Sequence, residues 1–189
     1  SLTDEGFAQA ERAADMLADA ANLTMLGRHA PFTGVDAVLA SPLLRTQQTA
    51  GVVADRLGLD IELVDGVREC AFGDWDGLTY DEVDAQWPTE LSGWLASPAA
   101  APPGGECFDD VFERVVKTRS ELADRYRGKT VLVATHVTPI KSFVRDVLDA
   151  PSSALFRMEL APASLTVVQW FADGIGSLRT FNHTGHLVP

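Results

Sequence analysis

The chain has 189 residues, 46% of them hydrophobic, and a formal charge of −12 at pH 7, which suits one domain with a substantial core. The charge argues against nonspecific nucleic-acid binding by this domain, and any phosphate site must concentrate its positive charge locally. No apolar stretch approaches a membrane span, Ser1-Leu2-Thr3-Asp4 lacks a signal-peptide pattern and two cysteines make no disulfide framework, so a reduced cytoplasmic protein is expected.

In chain order, Thr3 is placed to cap a helix over about 4–20, with Leu2 and Phe7 spaced as a hydrophobic staple. Phe7, Ala10, Ala14, Leu17 and Ala21 give it an apolar stripe. Arg28-His29-Ala30 follows Leu26-Gly27 with no buried strand before it and precedes Pro31, so His29 reads as an exposed loop residue. Val35-Asp36-Ala37-Val38-Leu39-Ala40 is a short apolar strand. Ser41-Pro42, a cap and a first-turn proline, then opens a helix over about 42–57 that ends near Gly58. Ile61-Glu62-Leu63-Val64 reads as a second strand, followed by an irregular loop from Arg68 to Gly77 that carries Glu69.

Thr79-Tyr80-Asp81-Glu82 has capping-box form and opens a short helix toward Gln86, before Pro88. The stretch from Ala96 to Gly105, rich in alanine and proline, reads as a loop able to cover a site. A helix over about 108–127 carries Val111, Val115, Leu122 and Tyr126. The continuous apolar run 131–134 suits a strand covered on both faces, ending on His136. Thr138 is placed to cap the next helix, over about 139–149, with Pro139 in its first position. Ala163 to Trp170 and Ser177 to Phe181 read as paired strands around an Asp173-Gly174 turn. The alternation predicts a three-layer α/β/α sandwich with a mainly parallel central sheet, in one domain spanning 1–189.

Three strand ends then gather chemistry at one sheet edge. Arg45 falls in the first turn after the first strand, Glu69 in the loop after the second, and His136 directly after the third. A cation, a carboxylate and an imidazole outside the carboxyl ends of parallel strands make a site for an oxyanion and its proton transfers. Other features carry less. Six residues after Cys70 stands Asp76, and six after Cys107 stands Glu113, so neither cysteine opens a Cys-x5-Arg phosphate loop, and both read as packing residues. Trp75, Trp87, Trp94 and Trp170 read as packing groups, with Trp75 alone on a loop that borders the site. Asp74 and Asp76 read as loop anchors, and His183 with His186 lacks a third metal ligand.

Ser41-Pro42-Leu43-Leu44-Arg45-Thr46-Gln47-Gln48-Thr49-Ala50 resembles the second motif of the histidine phosphatase superfamily, the phosphoglycerate mutase-like enzymes. Glu69 with Phe72-Gly73-Asp74-Trp75-Asp76-Gly77 is similar to that family's acid-bearing loop, and Thr135-His136-Val137 to its second catalytic histidine. Leu2-Thr3-Asp4-Glu5-Gly6 resembles the start of its first helix. Pro103-Gly104-Gly105-Glu106 and Asn182-His183-Thr184-Gly185-His186-Leu187 resemble its α-ribazole phosphatase-like branch. The matches run along the whole chain in the family's order.

The resemblance implies a phosphoglycerate mutase-like fold and a phosphohistidine mechanism with neither cofactor nor metal. Arg45, His136 and Val137 fall at substrate-binding positions, and Glu69 and His136 at catalytic ones. Glu69 would protonate the leaving alkoxide and then deprotonate the attacking water. His186 would tie the C-terminal segment near the site. The family's nucleophile lies in an Arg-His-Gly motif on a first strand ahead of Leu-Thr-x-x-Gly, and here the sequence opens at Ser1-Leu2-Thr3. A first strand and loop of roughly 20–30 residues is therefore expected upstream. The 189 residues by themselves are expected to be inactive or nearly so. The leading functional expectation is a phosphomonoesterase for a small phosphorylated substrate. A mutase is the alternative, disfavoured by the short stretch from Leu78 to Pro103. The third is a noncatalytic or regulatory domain of a larger polypeptide, since similar bacterial domains follow a fused ribonuclease H domain.

Overall fold

The computed structural model of the chain describes residues 1–19 and 34–188. Helix α1 spans Asp4–Ala18, and the Thr3 hydroxyl accepts a hydrogen bond from the Gly6 N–H. Its inward stripe is Ala10, Ala13, Ala14, Met16 and Leu17, whereas Phe7 stays partly exposed. Ala21 and His29 lie outside the described residues. Strand β1 (Ala37–Ala40) leads to α2 (Leu44–Leu57), which ends on Gly58 in a left-handed conformation. Strand β2 (Ile61–Leu63) is followed by α3 (Tyr80–Gln86), whose Thr79–Glu82 capping box forms as the sequence indicates. Pro88 does not merely stop α3. It opens a further helix, α4 (Pro88–Ala96), because the first helical position needs no N–H.

Helix α5 (Phe108–Arg125) leads into β3 (Val131–Ala134) and α6 (Val137–Val147). Strands β4 (Leu165–Trp170) and β5 (Gly176–His183) form an antiparallel pair around Asp173-Gly174, with the Asp173 carboxylate accepting from the Ile175 N–H. No described helix is long and apolar enough to cross a membrane.

Strand order decides where a site can lie. The parallel sheet runs β2-β1-β3, with Ala40 opposite both Leu63 and Ala134. The chain steps from β1 to β2 in one direction and from β2 to β3 in the other. Right-handed crossovers then place α2 on one face of the sheet and α5 on the other, giving the three-layer α/β/α arrangement. Val38 and Ala40 pack on Ala50 and Ala54 of α2, and Leu39, pointing the opposite way, is equally buried. On the far face α5 packs against α6, with Val111 and Val115 gathered around Cys70, Phe108 and Leu155.

Among the described residues β3 pairs only with β1, and β4 only with β5. The apolar residues of β3 are accordingly half-buried, unlike those of a strand covered on every side. Leu132 of β3 and Leu165 and Val167 of β4 nevertheless lean on one cluster, made by Ala14, Met16 and Leu17 of α1 with Val53 of α2.

The loop after β2 is held against the stretch preceding α5 by backbone on backbone. The Asp74 N–H donates to the Pro103 carbonyl at 2.9 Å and the Glu106 N–H to the Ala71 carbonyl at 2.8 Å. A Cβ on Gly105 would lie 2.4 Å from the Ala71 oxygen, so the approach requires glycine there. Gly105→Ala is expected to cost about 1–3 kcal/mol in urea unfolding, as overpacking against rigid backbone does. Gly51→Ala, in α2 with open space around the added methyl, is expected to stabilise by about 0.5–1 kcal/mol through helix propensity and a stiffer unfolded chain. A Gly105→Ala variant as stable as the parent, or a Gly51→Ala variant less stable than it, would contradict this packing.

Candidate active site

The reversal of strand order at β1 opens a crevice between the carboxyl ends of β1 and β3, where α2 and α6 depart to opposite faces. The Ser41 N–H donates to the Ala134 carbonyl at 2.9 Å, so the two strand ends are tied at the last paired residues. Arg45 from the first turn of α2 and His136 from the end of β3 meet there. The Arg45 Nε–H donates to His136 Nδ1 at 3.2 Å, and His136 Nε2 lies 2.8 Å from Ser41 Oγ. A guanidinium has no acceptor, so Nδ1 must be unprotonated and Nε2 carries the proton, donating it to Ser41.

This placement corrects two expectations about helix starts. Ser41 does not cap α2: the helix begins at Leu44 with Leu43 as its N-cap, and the Ser41 hydroxyl is engaged by the buried imidazole. Thr138 does not cap α6 either. The helix begins at Val137 with His136 in the cap position, and Thr138 and Pro139 fall inside the first turn. The cap comes from another part of the chain. Glu69 Oε1 accepts from the Thr138 N–H at 3.3 Å and from its neighbour Cys70 N–H at 2.9 Å. A carboxylate thus satisfies a free donor at the positive end of a helix. Arg45, Glu69 and His136, read from three separate strand ends, are brought to one place. Val137 sits beside them at the first turn of α6 with its side chain 45% exposed.

The electrostatics of the three groups differ. His136 is only 6% exposed. Its burial, followed by the positive charges of Arg45 and Arg114, pushes the imidazole from 6.5 down to about 4, so it is neutral at pH 7. Arg45 is exposed, which leaves its remaining N–H donors toward solvent as the cationic surface of the crevice. Burial, then the charges of Glu106 and Glu69, push the Cys70 thiol up to about 12. It is therefore no nucleophile at neutral pH. Cys107 does more than pack: its sulfur accepts from the Asp110 N–H and completes the cap of α5.

Other residues fall elsewhere. The Trp75 side chain packs inward. It is buried with Val83 and Leu91, its ring 5.8 Å from that of Trp94. The 96–105 stretch packs against the acid-bearing loop through Pro103 and Gly105. His186 binds the Ala163 carbonyl at 3.0 Å and stacks on His183, so it ties the C-terminal turn to the approach of β4. Among the described residues no three His, Cys, Asp or Glu side chains are grouped to hold a metal. Sequence reasoning missed Ser41 as the partner of His136. It also missed Thr135, whose hydroxyl donates to the Val67 carbonyl at 2.6 Å and binds the end of β3 to the acid-bearing loop. Nothing in the local pattern marks either one, because both partners are distant in sequence.

Two outcomes are expected from this electrostatic arrangement. Between pH 6.5 and about 4 the unfolded chain binds a proton at His136 that the folded chain refuses. Stability should therefore fall as pH drops through that window, by on the order of 3 kcal/mol for this group. His136→Gln should lose that part of the slope in urea titrations run from pH 7 to 4. Both thiols are buried, so Ellman's reagent should label neither at pH 8 until denaturant is added.

The model of the histidine phosphatase superfamily (branch 1) matches residues 1–184. The bifunctional protein Rv2228c of Mycobacterium tuberculosis is 45% identical over 154 residues, covering 82% of this chain and 42% of the relative. The chain thus spans about two fifths of the length of such curated relatives. A 2,3-bisphosphoglycerate-dependent phosphoglycerate mutase of Methylobacterium sp. is 33% identical over 156 residues, covering 78% of this chain and 68% of the mutase. Among solved structures, mycobacterial glucosyl-3-phosphoglycerate phosphatase Rv2419c with inorganic phosphate superposes with a TM-score of 0.79 at 25% identity, over 98% of this chain and 88% of that one. Its motifs, its sheet and these similarities agree: the chain belongs to the histidine phosphatase superfamily.

Proposed function

We propose that this domain is a phosphomonoester hydrolase working through a phosphohistidine. The observation that carries the reading is the meeting of Arg45, His136 and Glu69 at the carboxyl ends of β1 and β3. The exposed guanidinium of Arg45 supplies fixed positive charge, and the α6 N-terminus adds its partial charge beside it. His136 in its neutral form offers one N–H, which turns from Ser41 to a phosphoryl oxygen when substrate binds, and Val137 borders the same crevice. Charge spread over the equatorial oxygens in the transition state is then met by groups already in place. Glu69 gives a proton to the leaving alkoxide and takes one from the water that releases phosphate. With charge supplied by the guanidinium and proton transfer by the carboxylate, the reaction as proposed needs neither metal nor cofactor.

The nucleophile in this reading is a histidine in an upstream Arg-His-Gly segment. A strand carrying it has a place to pair on the edges of β3 and β4 that are unpaired among the described residues, and both strands lean on the same cluster. The histidine attacks phosphorus as the P–O bond to the leaving group breaks, and water then attacks the phosphohistidine. Hydrolysis is preferred over mutase chemistry because the connection from Leu78 to Pro103 is short, filled by α3, α4 and the turns that pack on the acid-bearing loop. The greater length of the relatives, among them the bifunctional protein Rv2228c, supports a second domain on the same chain. We propose a ribonuclease H domain in that place, and a cytoplasmic location for the whole. Intact mass of the native protein and cleavage of an RNA–DNA hybrid test this. Mass matching this domain alone would refute it.

Arg45→Ala should weaken vanadate or phosphate binding about tenfold or more in calorimetric titration, since a charged multidentate contact is lost. Affinity equal to the parent's would remove Arg45 from the site. The 189-residue chain should not turn over p-nitrophenyl phosphate, and adding the Arg-His-Gly segment should restore turnover that EDTA leaves intact. Full activity of the shorter chain would mean the nucleophile lies within it.

A further inference from the structure

We propose that Glu106 and Arg114 form a clamp that positions the Glu69 carboxylate, which makes Arg114 a positioning residue for proton transfer; this rests on the acid role given to Glu69 above. Arg114 projects from α5 with its side chain 24% exposed and pairs with Glu106 through Nε at 2.9 Å. A second bond joins its Nη2 to Glu106 Oε2 at 3.1 Å. The same guanidinium donates to two backbone carbonyls of the acid-bearing loop. Nη1 reaches the Gly66 oxygen at 3.0 Å and Nη2 reaches the Glu69 oxygen at 3.1 Å. Glu106 holds the loop on the other side of Glu69, where its Oε2 accepts from the Ala71 N–H at 3.0 Å. Its backbone N–H donates to the Ala71 carbonyl, and its carbonyl accepts from the Cys70 thiol at 3.4 Å.

The backbone is therefore fixed at Gly66, Glu69 and Ala71, bracketing one side chain. An ion pair serving helix α5 alone would have no reason to spend its remaining donors and acceptors on that loop. Among the described residues the Glu69 side chain itself is held by two N–H groups, those of Cys70 and Thr138. Its aim consequently depends on where the clamp holds the backbone, and displacement of a proton donor by about 1 Å can cost on the order of a hundredfold in rate. A lysine keeps the charge of Arg114 but cannot span these four acceptor oxygens with a fixed fork.

The test has two parts. In the chain described here, Arg114→Lys should speed hydrogen exchange of the Cys70 and Thr138 amides about tenfold or more, with the β1 and β3 amides unchanged. Uniform acceleration of all amides, or none, would overturn the clamp. In the polypeptide that carries the Arg-His-Gly segment, kcat for phenyl phosphate should fall about tenfold more than kcat for p-nitrophenyl phosphate, whose leaving group needs little protonation. KM should change little. In a Glu69→Gln background the same Arg114→Lys change should have almost no further effect, as expected for residues acting as one unit. Full additivity would overturn the proposal. Glu69→Gln that slows both substrates equally would instead defeat the acid role itself, and the clamp with it. Should Arg114→Lys fail to fold, Glu106→Gln supplies the same readouts. It keeps a neutral acceptor for Ala71 but weakens the pair, so a smaller leaving-group split is expected, and its absence would refute the clamp.

Discussion

The parallel pairing of β1 with β3, register fixed by Ala40 against Ala134, is the constraint on which the rest of this structure depends. It brings together the two strands between which the chain reverses its direction across the sheet. The helices that follow must then leave on opposite faces, and the space between their first turns is filled by what the strand ends carry. Ser41, Arg45 and His136 are neighbours for that reason alone, although 91 residues separate Arg45 from His136. One residue of slippage in the pairing would turn every side chain of β3 to the other face and dissolve the arrangement.

The acid-bearing loop is joined to this frame by hydrogen bonds rather than by a strand ladder. Thr135 holds it to the end of β3, Glu69 caps α6, and the backbone of 103–106 lies flat against 71–74. Each of these contacts uses a backbone group that would otherwise be left unpaired in a half-buried place, so the same bonds that complete the local structure also set the direction of the carboxylate. Gly105 allows the approach, and the aromatic cluster around Trp94 fills the space behind it. Positioning and stability here share the same contacts.

The pairing of His136 with Arg45 shows how burial chooses a protonation state. Next to a guanidinium and shielded from water, an imidazolium is costly, and the neutral tautomer with its proton on Nε2 is retained. The site thus keeps one permanent cation and one neutral donor instead of two mutually repelling charges. In a chain whose overall charge is −12, the exposed face of Arg45 is a local exception, which is what recognition of a small anion requires when the long-range field is unfavourable.

The sequence by itself determined the alternation of strands and helices, the capping box at Thr79, and the three residues at the strand ends. It did so because periodicity, capping chemistry and motif spacing are local properties of the chain. Family membership was legible on the same ground, from ordered motifs between Leu2 and Leu187. What only the tertiary structure decided are the partners. Ser41 and Thr138 each look like caps of the helix they precede, and each is instead engaged by a group from a distant segment. Pro88 reads as a stop and opens a helix, since a proline is equally at home in both places. Arg114 bonds to carbonyls of Gly66 and Glu69, 48 and 45 residues away. Backbone acceptors are the same for every residue type, so no pattern of side chains could have named those two in advance.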